Sequence, residues 1–490
     1  MKSYKLVLGV FIFVVLFRVF FMLQTPEWSD SNSYYILKNI ENVKEKYAHV
    51  VYDPLSYSGR ESVGSPLLYY ILAPVSVIPY GIKILTSIMI ATLVLITYLA
   101  AKEITKDKTA QIVAASISGF TPIIIRETLN KISPYTIALP LLFFALYCFI
   151  KMERGFYLNL FILTTAILAV LHPLAILLAS GLAVYLLLAA VEGIVVTKAK
   201  KEVILFTILF VSIIELAVYK EAFIINGVNA IWNNTPMVIR GEYFRNIEIK
   251  DILVQTGIVT IVLGGIGRFL AITKETSHAF LTFSSTILAT STLLFFKVMN
   301  FNTGVTILGI AMATMAAAGF ERTTQYLRLT KADKAKHIIK PAIVLAILAT
   351  LIVPSYTQAE QAMAQAVTPQ EKEALLHIKT TAAAHEVVAA SPEEGHYITS
   401  IAERRNVMDT NFMLAPEINE RYNDLTRLFT TISGKRAREV FREYNVSLIY
   451  FSDKTKRIYN ESQIPYIDDQ DCFRKIKETD KATVYRVKCR

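Results

Sequence analysis

The sequence predicts a polytopic α-helical membrane protein of about eleven transmembrane helices, followed by a small C-terminal extracytoplasmic α/β domain. Three observations predict it. The 490 residues are 53% hydrophobic with a mean hydropathy of +0.43, too apolar for an ordinary soluble domain. Apolar runs of bilayer-crossing length recur from the N-terminus to Tyr356. After Tyr356 the composition changes abruptly to a soluble mixture of helix- and strand-forming segments.

The first run, Leu6 to Leu23, follows lysines and has no small-residue cleavage site after it, which predicts an uncleaved span with Met1 in the cytoplasm. With roughly 20 apolar residues needed per crossing, the spans fall at 5–24, 82–101, 109–125, 134–151, 156–171, 173–196, 202–221, 251–272, 279–297, 301–319 and 337–356. An odd number starting inside leaves the C-terminal residues outside. The basic segments AKEITKDK, KMERG, TKAKKE and ERTTQYLRLTKADKAKH all fall in loops that this topology places in the cytoplasm. The formal charge of +11 is therefore mostly topology, and no nucleic-acid partner is expected, because the basic residues do not share an aromatic-bearing surface. The organisation expected is a transmembrane domain at 1–356 with an extracytoplasmic first loop at 25–81, and an extracytoplasmic α/β domain at 357–490.

That first loop contains WSDSNSYYILKNIENVKEKYAHVVYDPLSYSGRESVGSP, polar, acidic and rich in tyrosine between apolar spans. It is longer than a simple helix connection requires, so it is the first place to look for chemistry. In the C-terminal domain, TPQE at 368–371 has a Thr N-cap, Pro at the first helical position and Glu three residues on, which predicts a helix start. EVVAAS, HYITSIA and VSLIYFS read as strands, GKRAREVFREYN as a helix, and the C-terminus as a hairpin.

The three cysteines, Cys148, Cys472 and Cys489, form no CxxC and no cluster with histidine at metal spacing, so no metal site is expected. If Asp480-Lys481 is a two-residue turn, 479 pairs with 482 and, in the same register, 472 with 489. An oxidising exterior permits a disulfide there; two unpaired thiols are the alternative. Ionisable residues in or beside the spans are Arg18, Arg126, Glu127, His172, Glu215 and Lys297. Snorkelling accounts for Arg18 and Lys297. Arg126, Glu127 and His172 divide between structural and functional roles at the outer interface.

The plan of the chain, with an extended first outer loop, a short second one and a C-terminal outer domain, resembles the C-type (GT-C) membrane glycosyltransferase superfamily of archaeal type. SDSNSYYILKNIENV with VYDPLSYSGRESVGSPLLYYIL is similar to the family's first-loop pattern. GHYITSIAERRNVMDTNFM resembles the stretch after the WWDYG signature of the oligosaccharyltransferase catalytic subunit. The resemblance implies a donor sugar on a polyprenyl phosphate and an acceptor that is a lipid-linked glycan or surface group. Aligning Tyr34 and Tyr35 with the family's aromatic pair puts Asn32 where the first-loop carboxylate belongs, with Asp30 two residues upstream. Ser133 and Tyr135 occupy the places of the second-loop carboxylates, and Gly395 alone keeps the signature.

Transfer from a lipid phosphate needs a base or orienting carboxylate at the acceptor and positive charge at the leaving phosphate. Asp30 is the candidate base, and an N-cap is its alternative role. Glu127 is the second carboxylate. Arg126, Arg60 and His172 are the candidates for the phosphate, with Asn32, Tyr34 and Tyr35 lining the substrate site. Without a carboxylate pair in the second loop, metal independence is expected, and the lipid-linked donor stands in place of a cofactor. A catalytically silent relative that binds lipid-linked glycan, or scaffolds a surface-glycan assembly complex, is the competing expectation.

Overall fold

The computed structural model describes residues 2–48, 51–244, 248–273, 277–330 and 336–489. The chain is a polytopic α-helical membrane protein with a small C-terminal sheet. It divides into two compact units, one made of Met1–Gln24, Ile78–Val218 and Tyr243–Ala364, the other of Thr25–Val77, Tyr219–Glu242 and Gln365–Arg490.

Among the described residues of the first unit seven helices are long and apolar enough to cross a membrane: Ser3–Met22, Gly81–Lys102, Lys108–Thr128, Leu174–Val191, His278–Phe295, Phe301–Arg328 and Ile338–Met363. Counting each of two bent helix pairs as one span raises the number to nine, and Tyr135–Lys151 and Gly155–Leu171 are shorter apolar helices. One pair, Lys250–Thr256 with Ile258–Phe269, turns by 101° at Gly257, whose φ of 88° is open to glycine at little cost. Apolar content reports that a segment is buried in lipid or protein and carries no record of such a turn. The helix Phe301–Arg328 runs on through ERTTQYLR, read from sequence as loop, and the remainder of that basic segment at 331–335 lies outside the described residues.

The core of this unit is built on small residues. Ala114, Ala115, Ala313, Ala316 and Ala317 are fully buried among Val14, Val94 and Leu351. A Cβ added to Gly267 or Gly319 would collide with the backbone oxygens of Met315 and Leu263, so glycine is what lets Ile258–Thr273 and Phe301–Arg328 approach backbone to backbone. Arg18 does not snorkel. It is 1% exposed, and its Nη2 donates to the Thr128 carbonyl oxygen at 2.8 Å and to Oγ1 at 2.9 Å, placing a cation on the C-terminal end of the helix Pro122–Thr128. Three of the basic segments meet at one end of the unit through Lys151–Glu103 at 2.7 Å and Lys200–Glu153 at 3.3 Å.

The second unit carries a two-stranded pair, β1 (Tyr52–Asp53) and β2 (Arg60–Glu61), and a five-stranded sheet of β3 (Val387–Ala389), β4 (Arg405–Asn406), β5 (Val446–Ser452), β6 (Phe473–Glu478) and β7 (Ala482–Val487). The sheet order is β4-β3-β5-β7-β6, with β3 parallel to β4 and β5 and the other pairs antiparallel. Thr368 and Glu371 form a reciprocal capping box at the start of Pro369–Thr381. HYITSIA is not a strand: its first five residues lie in the helix Gly395–Ser400, whose opening glycine allows a close approach of the Met408 backbone oxygen that a Cβ would strike.

In the final hairpin Glu478 pairs with Thr483 as a turn at 480–481 requires, but an irregularity between Lys475 and Lys477 shifts the register, and Phe473 pairs with Val487. Cys472 and Cys489 are disulfide-bonded with Cα atoms 4.8 Å apart, and Cys148 is free and buried. Val387, Ala389, Val446, Ile449 and Phe451 of the sheet pack on Leu425, Leu428, Phe429, Val440 and Phe441, and Tyr57 of the first loop enters the same core.

Candidate functional site

In the second unit the helix Ser31–Lys46 begins at Asp30, whose extended backbone (φ −141°, ψ 155°) is that of an N-cap while its carboxylate caps no backbone N–H. Instead it accepts from the Ser33 hydroxyl. Asp30 is therefore positioned at the end of the helix with its carboxylate outside the capping role. Asn32 is exposed and accepts from Thr410 Oγ1 at 3.1 Å. Tyr34 and Tyr35 point inward. Tyr34 donates to Glu27 at 2.7 Å and packs edge-on against Tyr397 at 5.1 Å, and burial followed by the Glu27 charge pushes its phenol pKa up. Tyr35 lies 2.7 Å from Ser62 Oγ, with its ring 5.2 Å from His396. These contacts make the aromatic pair a dock for the helix Gly395–Ser400, and Ser400 Oγ closes it with a bond to the Tyr34 carbonyl oxygen at 3.0 Å.

Arg60 is not at a surface where a lipid phosphate arrives. It is 4% exposed, donates from Nε to Ser56 Oγ at 2.7 Å and from Nη1 to the Asn411 and Met413 carbonyl oxygens, and pairs with Asp409 at 3.9 Å. Asp409 is fully buried and accepts from Ser56 Oγ at 2.6 Å, Asn406 Nδ2 at 3.1 Å and the Asn411 N–H at 3.1 Å. Burial alone would raise its pKa; the neighbouring His396 and Arg60, with the bonds from Ser56 and Asn406, outweigh it and hold the carboxyl below its ordinary range. His396 is fully buried 3.6 Å from Asp409, and burial lowers its pKa. Sequence reading missed His396 because a lone histidine in an apolar run carries no spacing signal.

In the first unit a second polar group gathers at the ends of several helices. Glu127, near the end of Pro122–Thr128, accepts from Asn302 Nδ2 at 3.1 Å, and its other neighbour is Arg126 Nε at 3.7 Å. Tyr135, opening Tyr135–Lys151, lies 2.9 Å from Thr303 Oγ1, and its ring stands 4.7 Å from that of His172. His172 Nδ1 accepts the Leu174 N–H at 3.1 Å, which leaves the proton of the neutral ring on Nε2, a donor. Glu127, Tyr135, Leu139, Thr303 and Thr306 line a small hollow there. Arg126 is about half-exposed and Glu127 less so, which keeps both within reach of an incoming group. Asn302 and Thr303 were not singled out from sequence, because they open a long apolar helix and read as its N-terminal polar turn. Ser133 accepts the Tyr135 N–H, a turn role. Among the described residues no group of three or more His, Cys, Asp or Glu is placed to hold a metal ion.

No family model and no curated protein sequence matches the chain. Solved structures do. The oligosaccharyltransferase of Archaeoglobus fulgidus in its apo form superposes with a TM-score of 0.67 at 14% identity, over 94% of this chain and 72% of that one. The archaeal oligosaccharyltransferase AglB from Archaeoglobus fulgidus, in complex with an inhibitory peptide and a dolichol-phosphate, gives 0.69 at 14% identity over 92% and 70%. ArnT from Cupriavidus metallidurans bound to undecaprenyl phosphate gives 0.56 at 9% identity over 98% and 97%. The fold is that of the C-type glycosyltransferases. Within this C-type glycosyltransferase fold, Asp30, Asn32, Tyr34, Tyr35 and Arg60 belong to the sheet-bearing unit and Arg126, Glu127 and His172 to the helical one.

Proposed function

We propose that the protein is a membrane glycosyltransferase that moves a sugar from a polyprenyl-phosphate-linked donor to a lipid-linked glycan or surface acceptor. The reaction takes place on the outer face of the cell membrane, with the N-terminus cytoplasmic and the sheet-bearing unit extracytoplasmic. The observation that carries this reading is the group around Glu127: a carboxylate oriented by Asn302, a half-exposed guanidinium next to it, and Tyr135 with the His172 ring against its own, on a fold whose neighbours were solved with dolichol-phosphate and undecaprenyl phosphate.

In this mechanism Asp30 takes the proton of the acceptor hydroxyl as that oxygen attacks the anomeric carbon, and Glu127 orients the acceptor. The bond from that carbon to the phosphate oxygen breaks. Arg126 donates to the departing phosphate, and His172 adds the Nε2 proton as a hydrogen bond, so the growing negative charge meets two fixed donors without a metal. Arg60 is left out of this set because its guanidinium is buried against Asp409. The second reading, a catalytically silent relative, is favoured by Asn32, Ser133 and Tyr135, whose side chains make neutral contacts where the resembling family carries acids.

The test is transfer from a polyprenyl-phosphosugar by the purified full chain. Loss of transfer in Asp30→Asn with donor binding retained supports the assigned base. Full activity in that variant removes Asp30 from the mechanism, and donor binding by the native chain without turnover selects the silent relative.

A further inference from the structure

We propose that the sheet-bearing unit holds a separate site for one carboxylated sugar, a hexuronate, in a cavity at the leading edge of its parallel strands. The cavity has a volume of about 390 Å³, within the range of small-ligand sites. Its floor is set by strand register: Val387 opens β3 and pairs with Arg405 of β4 on one side and Val446 of β5 on the other. None of the residues around Asp30 lines it.

Charge decides the ligand class. Arg405 enters the cavity with no hydrogen bond or ion pair from its side chain among the described residues. Arg421 lies between two rings, its guanidinium 5.0 Å from the Tyr444 ring centroid and 5.7 Å from that of Tyr57, and it donates from Nη1 to the Val407 carbonyl oxygen at 2.9 Å and to that of Tyr57 at 3.5 Å. No carboxylate pairs with it among the described residues, and its Nε is buried without a partner. Glu443 is the one carboxylate on the wall, so two guanidinium groups face one acid. A single-charged carboxylate balances that; a phosphate dianion overfills it. The rest of the wall, including Ser58, Asn445 and Ser447, offers hydroxyl and amide groups that suit the hydroxyls of a sugar ring. Such a residue arrives either on a glycan acceptor or on a lipid-linked donor.

The sugar class rests on the transferase reading, but the test needs no turnover. Binding of methyl glucuronide, methyl glucoside and inorganic phosphate to the full chain in detergent is measured by calorimetry, with thermal melting as the check on folding. Glucuronide should bind, glucoside should bind at least roughly tenfold more weakly, and Arg405→Gln should weaken glucuronide by roughly tenfold or more while melting as the native chain does. Asn445→Gly, which keeps the left-handed backbone at that position (φ 53°), serves as a second variant and should weaken binding less. Equal binding of glucoside, tighter binding of phosphate, no binding of glucuronide, or unchanged binding in Arg405→Gln each overturns the proposal. An inactive chain that binds glucuronide refutes the transferase reading and leaves the site standing. Competition by lipid-linked against free uronate-bearing glycans then separates the donor from the acceptor source.

Discussion

Tyr57 donates its phenolic hydrogen to the backbone oxygen of Asp409, 2.7 Å away and 352 positions later in the chain. Its ring is 2% exposed, and its backbone and that of Ser58 lie in the left-handed region at φ 52° and 61°, a conformation kept only where surrounding packing fixes it. Tyr57→Ala should therefore cost about 3–5 kcal/mol of stability, since it deletes a buried aromatic side chain. Tyr57→Phe should cost about 1 kcal/mol, the net worth of one hydrogen bond. Thermal or denaturant unfolding of the purified chain measures both, and equal losses would refute the packing role of the ring.

Stability should fall on mild acidification. Burial holds His396 below its ordinary pKa of 6.5, so the unfolded chain binds a proton that the folded chain refuses. The contribution is complete above 6.5 and is lost as pH drops through the folded value. Asp409, held below 3.8, acts with the same sign at lower pH. Glu394 acts oppositely, since burial raises it above 4.5 and its contribution is lost as pH rises through the folded value. His396→Asn should flatten the loss of stability as pH falls below 6.5; an unchanged slope there would remove the histidine from the account.

Reduction of Cys472–Cys489 should destabilise the sheet-bearing unit by about 2–4 kcal/mol, because the bond closes a loop across a separation of 17 residues in the unfolded chain. Melting with and without reductant, set against Cys472→Ser with Cys489→Ser, checks it. Cys148 is buried in the other unit and should not contribute.

Glu127→Ala should lower transfer by about 10²-fold, the cost of misplacing the acceptor by an ångström or so. Asn302→Ala should lower it less, since it removes only the group that orients the carboxylate. Chelator should leave the native rate unchanged. Dependence on added divalent ion would bring a metal into the mechanism, and equal rates for native and Glu127→Ala would remove the carboxylate from it.

Local chemistry was legible in the sequence, while distant partnership was not. Thr368 and Glu371 sit three residues apart, so their capping box is written in consecutive positions. The apolar helices follow from length and composition for the same reason. Arg18 and Arg60 show the other case. Each was assigned an outward role suited to an isolated cation, yet their partners, Thr128 and Asp409, lie far along the chain, and only the fold brings them close. Asp30 falls between: its place at a helix start was legible, but whether its carboxylate would cap a backbone N–H depended on the orientation of one side chain.

The shared core of Tyr57 and the C-terminal sheet also has a consequence in time. Ribosomes add about 5–20 residues per second, so with 352 residues between Tyr57 and Asp409 the loop waits roughly 20–70 s for its partners to be synthesised. During that interval Arg60 has no Asp409 to pair with, and the tyrosine ring has no sheet to enter. Strands made late thus complete a loop made early. A chain cut short before Asp409 would present its first loop unassembled, a state that chaperones and proteases can recognise without inspecting the rest of the molecule.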